Sequence, residues 1–124
     1  MTTQSQKVIL VVDDDPDILY TSKRFLERRG FSVPIASSGR EALDYIKEKS
    51  APDLITPDVQ MKEMDGYTFL NELNKLNLPK KIPIIVISAY SDLEQAMLLK
   101  GVKKYMIKPV HSEDLLEKIQ ECLR

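Results

Sequence analysis

Short aliphatic and β-branched runs alternate along the chain with longer stretches of helical period. Val8-Ile9-Leu10-Val11-Val12 is continuously apolar, the pattern of a strand in a parallel sheet covered on both faces. Asp15 stands as a cap before Pro16, and helices accept proline in their first turn. Ile18, Ser22, Phe25 and Leu26 line one helical face, and Gly30 stops that helix. Phe31 to Ala36 reads as a second strand, at the sheet edge because Pro34 has no N–H for a ladder. Ser38 and Glu41 form a capping box ahead of Ala42, Leu43 and Ile46. Leu54 and Ile55 mark a third strand, and Phe69, Leu70, Leu73 and Leu76 form a helical stripe after Gly66. Ile84-Ile85-Val86-Ile87 is the clearest strand. Ser91 and Glu94 repeat the capping-box pattern, Gly101 closes that helix, and Lys104 to Ile107 makes a fifth strand. Ser112 opens a last helix, with Glu113 and Asp114 in its first turn and Leu115, Leu116, Ile119 and Leu123 on its apolar face.

Five strands alternating with five helices predict a (βα)5 doubly wound α/β fold with right-handed crossovers. A length of 124 residues without repeat, linker or low-complexity segment fits one domain over residues 1–124. The 43% hydrophobic and 30% charged fractions belong to an ordinary globule. Lysine plus arginine number 18 against 19 aspartates and glutamates, a net charge of −1. That balance argues against nucleic-acid and polybasic membrane modules. Cys122 is the one cysteine, which excludes an internal disulfide and any multi-cysteine metal site. Met1 to Lys7 lacks the apolar stretch of a signal peptide, and Val8 to Val12 is far too short to span a membrane. The expected address is the cytoplasm.

In doubly wound sheets ligands bind beyond the carboxyl ends of the strands. Asp13, Asp14 and Asp15 follow the first strand, Asp58 the third, Ser88 the fourth and Lys108 the fifth. Each has an ordinary explanation taken singly: a solvated acidic turn, a helix cap, a strand-end hydroxyl, a surface lysine. Their convergence on successive strand ends has a chemical meaning. A carboxylate attacks a phosphoryl group to give an acyl phosphate. Clustered carboxylates call for a cation, and a few hard oxygen ligands suit Mg²⁺. A hydroxyl and a lysine take up the remaining phosphoryl oxygens. No histidine base is needed, and His111 reads as an exposed loop residue.

With these residues the chain resembles the receiver domain of two-component response regulators, the CheY-like family. The segments that carry the resemblance are Ile9 to Pro16, Pro52-Asp53-Leu54-Ile55 leading to Asp58, Met64-Asp65-Gly66, Ile82 to Ala89, and Tyr105-Met106-Ile107-Lys108-Pro109. The resemblance implies a flavodoxin-like parallel sheet of strand order 2-1-3-4-5. It implies Asp58 as phospho-acceptor and Asp13 and Asp14 as organisers of Mg²⁺, with the Gln60 carbonyl as a further ligand. Ser88 becomes the hydroxyl that contacts the phosphoryl group, Ala89 the small residue beside it, and Lys108 the phosphate-binding lysine. A cis Lys108-Pro109 bond and a switch role for Tyr105 follow from the same likeness. So do a histidine kinase or phosphotransfer protein as donor, a regulated partner or output domain, and a signalling switch in place of an enzyme with its own substrate. The moving surface would be the fourth helix, fifth strand and fifth helix, and Gln60 and Tyr90 flank the site where the family varies phosphoryl lifetime.

Three departures stand out. Pro57 precedes Asp58 where an apolar strand residue is usual, and predicts an irregularity in a central strand. Lys62-Glu63 replaces a common proline and glycine, and the stretch from Ser88 to Lys108 is slightly short, which trims the fourth helix. Three competing readings are a pseudo-receiver that only binds protein, a haloacid-dehalogenase-like phosphatase using Asp13 with Asp15, and a flavin binder. The flavin reading expects Ser, Thr and Gly in the first loop, not aspartate.

Overall fold

A computed structural model describes residues 6–61 and 64–124; Lys62-Glu63 and the first five positions lie outside the described residues. Strands β1 (Ile9–Val12), β2 (Ile35–Ala36), β3 (Leu54–Pro57), β4 (Ile85–Ser88) and β5 (Lys104–Ile107) alternate with helices α1 (Pro16–Glu27), α2 (Gly39–Glu48), α3 (Gly66–Lys75), α4 (Glu94–Leu99) and α5 (Ser112–Leu123). All pairing is parallel, in the order β2-β1-β3 and β4-β5. The two groups meet at a single bridge from Ile55 to Ile84.

The period of two in the strands sorts side chains onto two cores. Leu10, Val12, Ile55 and Val86 pack with Leu43, Ile46, Phe69 and Met97 on the face covered by α2, α3 and α4. Ile9, Val11, Leu54 and Ile85 pack with Leu19, Leu26, Leu115 and Ile119 under α1 and α5. Both faces of β1 and β3 are therefore buried, and their carboxyl ends emerge together on one edge.

Local signals set most boundaries. The Asp15 carboxylate accepts from the Asp17 N–H at 2.9 Å with Pro16 behind it. Ser38 caps α2 by accepting from Glu41 N at 3.1 Å. Gly30 takes a left-handed φ of 94° after α1.

Three expectations are corrected. The second strand pairs only at Ile35–Ala36, with Ser32 bridging Val8, because Pro34 interrupts the donors. Leu19, absent from the expected α1 face, is buried at 5% exposure, while Ile18, Ser22 and Phe25 are only half-buried. Ser91 does not cap α4: Ser91 to Leu93 form a turn, the helix starts at Glu94, and Leu93 occupies the cap without a side-chain bond. The last helix does open at Ser112, with His111 at its cap position and no side-chain bond there.

The Pro57 irregularity has a definite form. Ile55 N donates toward the β4 side, to Pro83 O at 3.1 Å, and Asp58 N donates to Val12 O of β1 at 3.1 Å. Alternation therefore directs position 57 toward β4, where proline offers no N–H. Pairing of β3 with β4 stops at the bridge before it.

Candidate functional site

β1 and β3 run in register, Val12 opposite Pro57, so Asp13 and Asp58 leave the sheet side by side. The backbone secures both: Asp13 N donates to Ala36 O at 3.1 Å, and Asp58 N to Val12 O. Gly66 supports Asp58 from below. Its N–H donates to Val59 O at 2.7 Å, and a Cβ there would stand 2.6 Å from Asp58 O and 2.8 Å from Val59 Cα. Only a residue without a side chain lets α3 start so close to the strand end.

Lys108 reaches this pair from β5. Its backbone N donates to Ser88 O at 2.7 Å, and the Lys108-Pro109 bond is cis. Its Nζ donates to Asp58 Oδ2 at 2.6 Å and to Asp13 Oδ2 at 3.0 Å. Both carboxylates are nearly enclosed, Asp13 at 3% and Asp58 at 7% exposure, so solvent screens the ion pairs little. Burial raises the Asp13 pKa, partly offset by the Asp15 N–H on Oδ1 at 2.9 Å and by Lys108. At Lys108 burial opposes the ammonium, but the bonds to Asp58 and Asp13 outweigh it and raise the pKa.

Asp14 lies beside them, exposed. Carboxylate oxygens of Asp13, Asp14 and Asp58 all fall within 4.8 Å of one another. Three hard oxygen donors, one open to water, fit a small divalent cation that keeps part of its hydration shell. The chain then folds over Asp58, whose Oδ1 accepts from Gln60 N at 3.1 Å. An open cleft of about 550 Å³ faces these groups.

Ala89 lines the cleft, and the other expected residues, Ser88 and Tyr105, bond to Tyr90. Ser88 is fully buried, and its Oγ accepts from Tyr90 N at 3.0 Å. Tyr105 is half-buried against the α2–α4 core, and its hydroxyl donates to the Tyr90 carbonyl. Tyr90 OH donates to Gln60 Oε1 at 3.0 Å, a bridge across the cleft mouth. Met61 and Asp65 also line the cleft and were not among the sequence candidates. Asp65 carried a usable signal, since Asp-Gly ahead of a helical stripe marks a cap, and its Oδ1 accepts from Thr68 N at 2.7 Å. Thr56 Oγ1 is buried without a hydrogen-bond partner one residue before Pro57.

Comparison with known proteins agrees with this geometry. A family model described as the response regulator receiver domain matches residues 9–120. An uncharacterized 14.6 kDa protein of Leptolyngbya boryana is 38% identical over 126 residues, covering 99% of this chain and 95% of that one. The transcriptional regulatory protein ZraR of Escherichia coli strain K12 is 38% identical over 117 residues; the match covers 93% of this chain but 26% of ZraR. A CheY-like receiver domain protein from Methanospirillum hungatei JF-1 superposes with a TM-score of 0.86 at 39% identity, over 96% of this chain and 94% of that structure.

Proposed function

The chain belongs to the response regulator receiver domain family, and on that footing we propose that it is a phospho-accepting switch of a two-component phosphorelay. The observation that carries this reading is the Asp58 carboxylate at the strand edge, paired with Lys108 and flanked by Asp13 and Asp14.

A histidine kinase or histidine phosphotransfer protein presents a phosphohistidine at the cleft. An Asp58 oxygen attacks phosphorus in line; the O–P bond forms, the N–P bond breaks, and the imidazole nitrogen keeps the electron pair. Asp13, Asp14, Asp58 and the Gln60 carbonyl would hold Mg²⁺, which when bound would offset charge on the phosphoryl oxygens. Lys108 shifts from the Asp58 carboxylate to a phosphoryl oxygen as a point charge. Ser88 exchanges the Tyr90 amide for the phosphoryl group, and Tyr105 leaves the Tyr90 carbonyl and turns inward. The added charge thereby biases a two-state surface built from α4, β5 and α5, which a partner or an output domain reads. Water later attacks phosphorus and restores the carboxylate. In this reading the chain acts in the cytoplasm and has no separate substrate; no helix among the described residues is long and apolar enough to cross a membrane.

Pro57 favours one second reading, a pseudo-receiver that binds partners without phosphorylation. The phosphatase reading has weaker support, since Asp13 is buried under Lys108 and Asp15 is occupied as the α1 cap. One experiment separates them. Incubation with Mg²⁺ and acetyl phosphate is expected to add one phosphoryl mass, lost in Asp58→Asn. No label from any donor or kinase establishes the pseudo-receiver, and label on Asp13 the phosphatase.

A further inference from the structure

At the opposite edge of the sheet, a cavity of about 230 Å³ opens between the end of α3, the connector into β4 and the end of α4. Its wall is largely aliphatic, with Leu70 and Leu73 from α3, Leu76 and Leu78 from the connector, and Ile82 and Val102 from the approaches to β4 and β5, and Asn74 adds a polar amide. Its rim is cationic. Among the described residues Lys80, Lys81 and Lys100 border it, and no carboxylate does. Lys100 is engaged, its Nζ donating to Asn71 Oδ1 at 2.8 Å. Lys80 and Lys81 are exposed and have no ion-pair partner among the described residues.

The chain itself keeps this space open. The turn that ends α4 uses Gly101 at a φ of 95°, and a Cβ there would stand 3.3 Å from Lys81 Nζ. The missing side chain leaves that room to the lysine, whose ammonium rests at the rim.

We propose that this cavity binds a small carboxylate-headed apolar molecule of the medium-chain fatty acid class. Its chain would lie on the leucine wall and its head between Lys80 and Lys81. The burial of apolar surface supplies the attraction, and a rim of cations without a carboxylate selects the sign of the head. An apolar cavity of about 150 Å³ holds benzene, so in proportion this one takes a chain of roughly eight or nine carbons. The inference is independent of phosphorylation at Asp58.

The test is an NMR titration of the full chain, methyl-labelled, with octanoate, octan-1-ol and octylamine, following Leu70, Leu73, Ile82 and Val102. Octanoate is expected to shift these methyls saturably, with octanol weaker and octylamine weakest. The Lys80→Gln/Lys81→Gln variant should weaken octanoate about tenfold, the scale of two partly shielded charge pairs. Neither lysine belongs to the acceptor site, so the variant's phosphorylation level and fold should match the parent. The proposal is overturned if octanoate gives no saturable shift. Equal binding of octanoate and octanol, unaffected by the double variant, also overturns it. So do shifts of these methyls that track protein concentration without ligand, which would assign the surface to a second copy of the chain.

Discussion

At Gly66 the absence of one carbon positions Asp58. A Cβ would sit 2.6 Å from Asp58 O and 2.8 Å from Val59 Cα, and both neighbours are backbone. Gly66→Ala should therefore destabilise the domain by about 2 kcal/mol, as over-packing does, and slow acetyl phosphate labelling of Asp58 by moving its carbonyl. Urea unfolding and a labelling time course check both. Asp13 makes a prediction of opposite sign. Its pKa is raised, chiefly by burial, so the folded state penalises the ionised form. Without Mg²⁺, Asp13→Asn should be more stable than the parent at neutral pH. The difference should shrink as the pH falls through the raised value, because the parent then carries a neutral group too. A variant less stable than the parent at neutral pH would overturn this. Lys108, also raised, contributes stability that is present below the ordinary lysine range and lost only as the pH rises through its higher folded value.

Among the elements, Pro57 leaves the largest mark. Pairing of β3 to β4 ends at the Ile55–Ile84 bridge, because position 57 faces β4 and has no hydrogen to give. Pro57→Leu should extend this ladder by one donor. The net gain is about 1 kcal/mol from the bond, reduced by the greater freedom of the unfolded chain without proline. The amide that the substitution restores at position 57 should exchange slowly with solvent, and phosphorylation of Asp58 should accelerate; a fast-exchanging amide or unchanged kinetics would overturn the seam's role. The strand cores were legible from their apolar runs, and α2 because period and cap agree there. Ser38 and Ser91 show where legibility ends. Both begin a serine-to-glutamate spacing of three, but Ser38 accepts from Glu41 N while Ser91 sits in a turn before Glu94. A spacing reports that a cap is possible, and the preceding backbone decides whether it forms. The short α4 followed from counting residues between Ser88 and Lys108, whereas the cavity beside it depends on three-dimensional coverage and had no sequence signal.

For the whole molecule, the strand-end pattern placed Asp13, Asp14, Asp58 and Lys108 together because parallel register carries all carboxyl ends to one edge. Ser88 and Tyr105 were legible as positions but not as contacts, since the Tyr90 amide and carbonyl that engage them lie on an irregular loop. What the edge holds is an incomplete balance of charge: two buried carboxylates share one ammonium, with a third carboxylate in solvent. Lys108 thus occupies the electrostatic role that Mg²⁺ would share. Lys108→Met leaves two buried carboxylates without their cation, a loss of about 3–5 kcal/mol when a buried pair is broken. Mg²⁺ should recover much of this, because a ligand bound only to the folded state stabilises it, by about 2.7 kcal/mol at a hundred times its dissociation constant. Removing the competing ammonium should also tighten Mg²⁺ binding. The expected outcome in denaturant titrations is a larger Mg²⁺-induced stabilisation in Lys108→Met than in the parent, and almost none in Asp13→Asn. Equal stabilisation in all three proteins would show that the cation binds elsewhere and would overturn this.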